Sequence, residues 1–151
     1  MITIEEFKKK QTSKIRLIGL DLGSKRIGIS ICDERQSIAT PFKTIVRINT
    51  SNLIKELKEI IKENNIKGIV IGNPINMDGS SGSSAQSVKD ISINISKSID
   101  LPVFLWDERL STVGAFNLSS QLDVNISKKI KKIDENAAAF ILQGAIDYLN
   151  N

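Results

Sequence analysis

The stretch RLIGLDLGSKRIGIS, Arg16 to Ser30, decides how the chain is read. An apolar run, Arg16–Leu22, has the composition of a buried strand, yet it carries a carboxylate, Asp21, at its far end. The connection LGSKR is short, with Gly23 able to take backbone angles that other residues avoid. A second run, Arg26–Cys32, alternates Ile27, Ile29 and Ile31 with other residues, the mark of a half-buried strand. The third, Ile38–Val46, contains Pro41 and therefore belongs at a sheet edge. Three strands with short links predict an antiparallel meander.

Beyond Val46 the period changes. SNLIKELKEIIKENN places Leu53, Leu57, Ile60 and Ile61 on one helical face, with Thr50 or Ser51 as the cap. IKGIVIG reads as a short buried strand, and NMDGSSGSS as a flexible loop. Val88, Ile91, Ile95 and Ile99 share a second helical face, and PVFLW is the next strand. Ser111 can cap a helix running to about Gln121. NISKKIKK reads as a basic connector, and Asp134–Leu149 as the last helix. Strands that follow helices return parallel by right-handed crossover. The expected architecture is α/β: a five-stranded mixed sheet, antiparallel in β1-β2-β3 and parallel in β1-β4-β5, with helices on both faces. Residues 1–14 form an N-terminal extension with one short helix and only Ile2, Ile4 and Phe7 as anchors, and 15–151 one domain.

Composition narrows the chemistry. The chain has 151 residues, a net charge of +4, one cysteine and no histidine. The missing histidine removes the Ser-His-Asp triad, the Cys-His dyad and histidine-bound zinc. A single cysteine removes thiolate zinc sites and intrachain disulfides. Carboxylates with a hard cation, Mg²⁺ or Mn²⁺, remain. The excess of lysine and arginine suits an anionic partner such as nucleic acid. The N-terminal MITIEEFKKKQTSK lacks the apolar stretch of a signal peptide, and no run approaches the length of a membrane helix. A cytoplasmic location with no membrane partner is the expectation.

Three acids stand at the ends of elements. Asp21 closes the first strand, and ligands gather beyond the carboxyl ends of parallel strands. WDERLST puts Asp107 and Glu108, with Arg109 beside them, at the end of the last strand and so at the same sheet edge. Asp134 shares a helical face with Ala138, Ile141 and Ala145, although an Asp opening a helix is also a good N-cap. Acids that converge repel unless a cation neutralises them. Divalent metal ions would do so, activating water and stabilising the leaving oxygen in phosphodiester hydrolysis.

Four blocks carry a family resemblance: GLDLGSKRIGIS, IVIGNPINMDGSSG, WDERLST and KKIDENAAAFILQ. In order and context they resemble the YqgF family of pre-16S ribosomal RNA nucleases, also described as Holliday-junction-resolvase-like, over about residues 15–149. The resemblance implies a ribonuclease-H-like fold and a metal-dependent endonuclease processing the 5′ end of the pre-16S ribosomal RNA. By motif it assigns Asp21, Glu108 and Asp134 as catalytic metal ligands, choosing Glu108 over Asp107. It also draws Arg26 and Arg109 into substrate binding, with Lys25 adjoining. Asn73 departs from the hydrophobic residue usual in the second block, and the N-terminal extension is longer than usual.

Three functions compete. The first is the nuclease, acting on pre-ribosomal RNA or on branched DNA. The second is a nucleotide-binding module, since DLGSKRIGIS also resembles the phosphate hairpin of actin-like ATPases; 151 residues cannot supply the second half those need. The third is a non-catalytic nucleic-acid-binding module. Lys128, Lys129, Lys131 and Lys132 form either a phosphate-contacting patch or a solvated face. Asp78–Ser84 reads as a lid by position, Trp106 as core, and Cys32 as a small buried residue.

Overall fold

The computed structural model describes residues 1–74, 82–108 and 126–151, with the backbone alone at 83 and 126–135. Helix α1 (Ile4–Lys10) is followed by β1 (Leu17–Leu22), β2 (Arg26–Cys32) and β3 (Ala39–Val46). Next come α2 (Thr50–Asn64), β4 (Gly68–Asn73), α3 (Ser83–Ser98), β5 (Val103–Asp107) and a long helix, α4 (Ile126–Asn150). The strands form one sheet in the order β3-β2-β1-β4-β5. β1–β2 and β2–β3 are antiparallel; β1–β4 and β4–β5 are parallel. This is the expected mixed sheet, and β3, with Pro41 opposite Ser30, is an edge strand. The expected helix from Ser111 to Gln121 lies outside the described residues.

Alternation along β1 sorts its side chains onto two cores. Ile18, Leu20 and Leu22 join Ile27, Ile29, Ile31, Ile69 and Ile71 beneath Leu53 and Leu57 of α2 and Val88 and Ile95 of α3. On the other face Leu17, Val70 and Phe104 pack under Ile141, Leu142, Ala145 and Ile146 of α4. Covering both faces is what a sheet with parallel strands requires. β2 departs from the half-buried reading, since six of its seven residues are buried. On its second face Gly28 and Ser30 looked solvent-facing because they are not large apolar groups, whereas Cys32 is buried as expected. Those small residues instead admit α4: the Ser30 hydroxyl donates to the Ala138 carbonyl at 2.7 Å.

Gly19 makes that approach possible. A methyl group at this position would sit 2.5 Å from Ser30 Oγ, 2.7 Å from Leu142 Cβ and 3.1 Å from the Ala138 carbonyl oxygen.

Two local expectations are corrected. Asn49, not Thr50 or Ser51, caps α2, its side chain accepting from the Asn52 amide at 2.8 Å. The basic connector NISKKIKK is helical from Ile126, consistent with the good helix propensity of lysine. Asp134 is therefore inside α4 and is not its N-cap. The N-terminal segment has the expected short helix, α1, and is anchored through the expected apolar residues. Thr3 caps α1 by accepting from Glu6 N, and Ile4 and Phe7 are buried. Phe7 stacks on Phe104 with ring centroids 4.8 Å apart, and the Ile2 amide donates to the Val103 carbonyl at 3.1 Å. No helix among the described residues is long and apolar enough to cross a membrane.

Gly19→Ala is expected to destabilise the fold by about 1–3 kcal/mol, the usual cost of overpacking, because two of its three neighbours are backbone or Cβ atoms. Thermal unfolding checks this: the variant melts several degrees below wild type.

Candidate active site

Asp21 is the fifth residue of β1, the central strand, and lies on the same face as Gly19 and Leu17, beneath α4. Its position is fixed by strand alternation from both neighbours: Leu20 and Leu22 belong to the opposite core. β5 ends at Asp107, and Glu108 follows directly. Phe104 belongs to the core under α4, so alternation puts Trp106 and Glu108 on that side and Asp107 on the other. The glycine of β4 confirms the side: a methyl group on Gly72 would lie 2.5 Å from Ile141 Cδ1 and 3.1 Å from Glu108 Cγ. The structure thus brings Glu108, across the gap left by Gly72, to Asp21. The two carboxyl groups lie within hydrogen-bonding reach of each other.

The electrostatics follow from that contact. Burial, together with the negative charge of Asp21 and its hydrogen bond, and then Asp107, pushes the Glu108 carboxyl up to about 7. Without a cation, each acid thus makes it harder for the other to carry its charge. Both side chains are half-buried, and their donors are hard carboxylate oxygens. That donor set fits Mg²⁺ or Mn²⁺ and suits no soft metal. Among the described residues no group of three metal-ligating side chains occurs.

The remaining sequence candidates divide. Asp134 lies one helical turn before Ala138, whose carbonyl meets Ser30; its side chain lies outside the described residues. Arg109 also lies outside them, as do residues 78–81 of the expected lid and the side chains of Lys128, Lys129, Lys131 and Lys132. Lys25 is exposed in the turn after β1, and Arg26, half-buried, opens β2. Trp106, half-buried, sits against Gly144 and beside Tyr148, with ring centroids 6.1 Å apart, packed on α4. Cys32 is buried beside β1, and burial pushes its thiol up.

One residue escaped the sequence reading. Arg47, just past β3, donates from Nη1 to the Gly23 carbonyl at 2.9 Å, and its amide donates to the Lys25 carbonyl at 3.0 Å. It therefore braces the turn that follows Asp21. A lone cation after a strand gives no signal in sequence; only the strand pairing shows what it reaches.

The pH dependence has a definite sign. The Glu108 carboxyl titrates higher in the folded chain, about 7, than its ordinary 4.5. Between these values the folded state holds a proton that the unfolded state has released. This group's stabilising contribution is full below about pH 4.5 and is lost as pH rises through about 7. Chelator-treated protein should melt at lower temperature at about pH 8 than at about pH 5.5. Glu108→Gln, which imitates the protonated acid, should lose most of that difference. Mg²⁺ should raise the melting temperature of wild type at the higher pH and leave Glu108→Gln nearly unmoved.

A family profile described as "RuvX: Holliday junction resolvase" matches residues 15–148. The chain is 78% identical over 151 residues, all of both chains, to a Pelagibacter ubique protein named "Putative pre-16S rRNA nuclease". It is 43% identical over 149 residues, 99% of this chain and 93% of the other, to a protein of the same name from Chelativorans. Among solved structures it is similar in fold to RuvC of Thermus thermophilus, with TM-score 0.54 and 8% identity, covering 90% of this chain and 97% of that one. The same enzyme in complex with a Holliday junction substrate gives TM-score 0.55 and 10% identity, covering 89% and 95%. The fold is accordingly ribonuclease-H-like. With a full-length relative this similar and the family profile spanning nearly the whole chain, this protein belongs to the RuvX (YqgF) family, whose members are named as nucleases and resolvases.

Proposed function

We propose that the chain is a metal-dependent endonuclease that hydrolyses phosphodiester bonds in pre-ribosomal RNA, at the 5′ end of the pre-16S precursor. The observation that carries the reading is the contact between Asp21 and Glu108, two acids 87 positions apart in sequence that meet at a sheet edge. A structural ion pair would have put a base opposite an acid. Two acids held together raise the energy of the metal-free site and favour a doubly charged ion.

Asp21 and Glu108 would hold Mg²⁺ or Mn²⁺, with Asp134 of α4 as the third carboxylate. The bound ion supplies an activated water and Lewis-acid stabilisation of the leaving oxygen. The protein's part is to fix the acids. Asp21 is held in the central strand, and Glu108 is seated over Gly72, where any larger residue would displace it. Lys25, Arg26 and Arg109 supply positive charge for the phosphate beside the acids. The substrate rests on the name of the 78% identical relative. The family description favours a second reading with the same chemistry, cleavage of branched DNA.

The test is cleavage of an RNA spanning the 5′ flank of the 16S sequence, and of a four-way DNA junction, in Mg²⁺ or in chelator. Wild type should cut only with metal. Asp21→Asn and Glu108→Gln should each lose at least about 100-fold in rate, the order seen when a group that supports transition-state charge is removed. Cleavage by either variant at the wild-type rate would overturn the role of the substituted acid.

A further inference from the structure

The end of the β2–β3 ribbon lies beside the Asp21 turn, and its surface has an unusual make-up. Arg47 spends one guanidinium N–H on the Gly23 carbonyl, a neutral partner that leaves its positive charge uncompensated by that bond. A guanidinium carries five donors in a planar fork, and one anchored donor fixes the plane of the others. Val46 and Ile48, on either side of it, are 68% and 70% exposed. Through the backbone bond from Arg47 N to the Lys25 carbonyl, the exposed Lys25 is tied to the same place. Arg26 pairs with Val46 across the strands. Two large exposed aliphatic side chains thus neighbour the cations along the chain. It adjoins Asp21 through the turn, since Gly23 N donates to the Asp21 carbonyl at 3.1 Å.

We propose that Arg47, with Lys25, Val46 and Ile48, forms a docking surface for the substrate's sugar-phosphate backbone, with Arg47 as a phosphate clamp pre-set on the Gly23 carbonyl. This rests on the nuclease reading and extends it. The cations meet phosphate oxygens, and the aliphatic groups cover sugar faces next to them. The charge of the surface is opposite to that of the two acids it adjoins. A polyanion is thereby drawn to the turn while the acids repel it until a cation is present. The shared ligand chemistry is a phosphodiester backbone, which either RNA or DNA can supply.

The experiment measures binding of a labelled RNA stem-loop and of a labelled four-way DNA junction, in Ca²⁺, across a series of salt concentrations. Each phosphate contact contributes roughly 0.7–0.9 to the slope of log affinity against log salt. Arg47→Ala should weaken binding about tenfold at low salt and lower the slope by roughly one. Arg47→Lys, which keeps the charge and loses the fork, should restore the slope. Lys25→Ala, in an exposed turn, should lower the slope as well, and serves where Arg47→Ala fails to fold. Loss with both probes assigns a general backbone surface; loss with one alone assigns that nucleic acid as the ligand. A folded Arg47→Ala protein with wild-type affinity and slope, or an unchanged slope in Lys25→Ala, overturns the proposal. Asp21→Asn separates the two readings. If it binds both probes and cleaves neither while the Arg47 prediction fails, the docking surface is wrong and the nuclease reading stands. If wild type cleaves neither probe in Mg²⁺, the nuclease reading itself falls.

Discussion

Two carboxyl groups in contact at one edge of a sheet govern this molecule. Asp21 and Glu108 lie far apart in the chain, and burying acids side by side is costly. Keeping them together therefore depends on the surrounding fold. β1 and β5 flank β4 and run parallel to it, so their carboxyl ends finish at the same edge. Gly72 in β4 removes the side chain that would otherwise keep Glu108 from reaching across. α4 closes over the same face, and Gly19 and Ser30 let it approach closely enough to cover the base of the site. The crowding that raises the Glu108 carboxyl is a consequence of this scaffold, and a doubly charged ion is the partner whose chemistry relieves it.

The two cores divide the labour. The larger one, between the sheet and α2 and α3, is built from branched aliphatic residues at every other strand position. It fixes the sheet without touching the site. The second, under α4, contains the aromatic Phe104 and the N-terminal Phe7 along with small residues. It is the one that holds the acids. The N-terminal segment contributes to this second core through Ile4 and Phe7, so its role in the fold goes beyond that of an appended tail.

Much of this was legible in the sequence, for physical reasons. The alternation Leu17-Gly19-Asp21 places the acid on a definite face, and the switch from strand to helix periods after Val46 gives the mixed sheet. Pro41 marks the edge strand because it lacks an amide for a ladder bond. The choice between Asp107 and Glu108 was open in the residues alone and needed a resemblance. In the structure it follows from strand alternation, once Phe104 is known to face α4. Gly28 and Ser30 misled because small residues on a strand face look like solvent exposure when the covering helix is unknown. The lysines of residues 128–132 misled because a charged run resembles a linker as much as a helix. Arg47 carried no signal because its meaning lies in the carbonyl it reaches, 24 residues away.

The most direct test of the two-acid site is a carbon-detected NMR titration of the Glu108 side-chain carboxyl, in chelator and again in Mg²⁺. A midpoint near 7 that moves well down when Mg²⁺ is added is the result required by two crowded acids waiting for a cation. A midpoint at the ordinary 4.5, unmoved by Mg²⁺ and independent of Asp21, would contradict it.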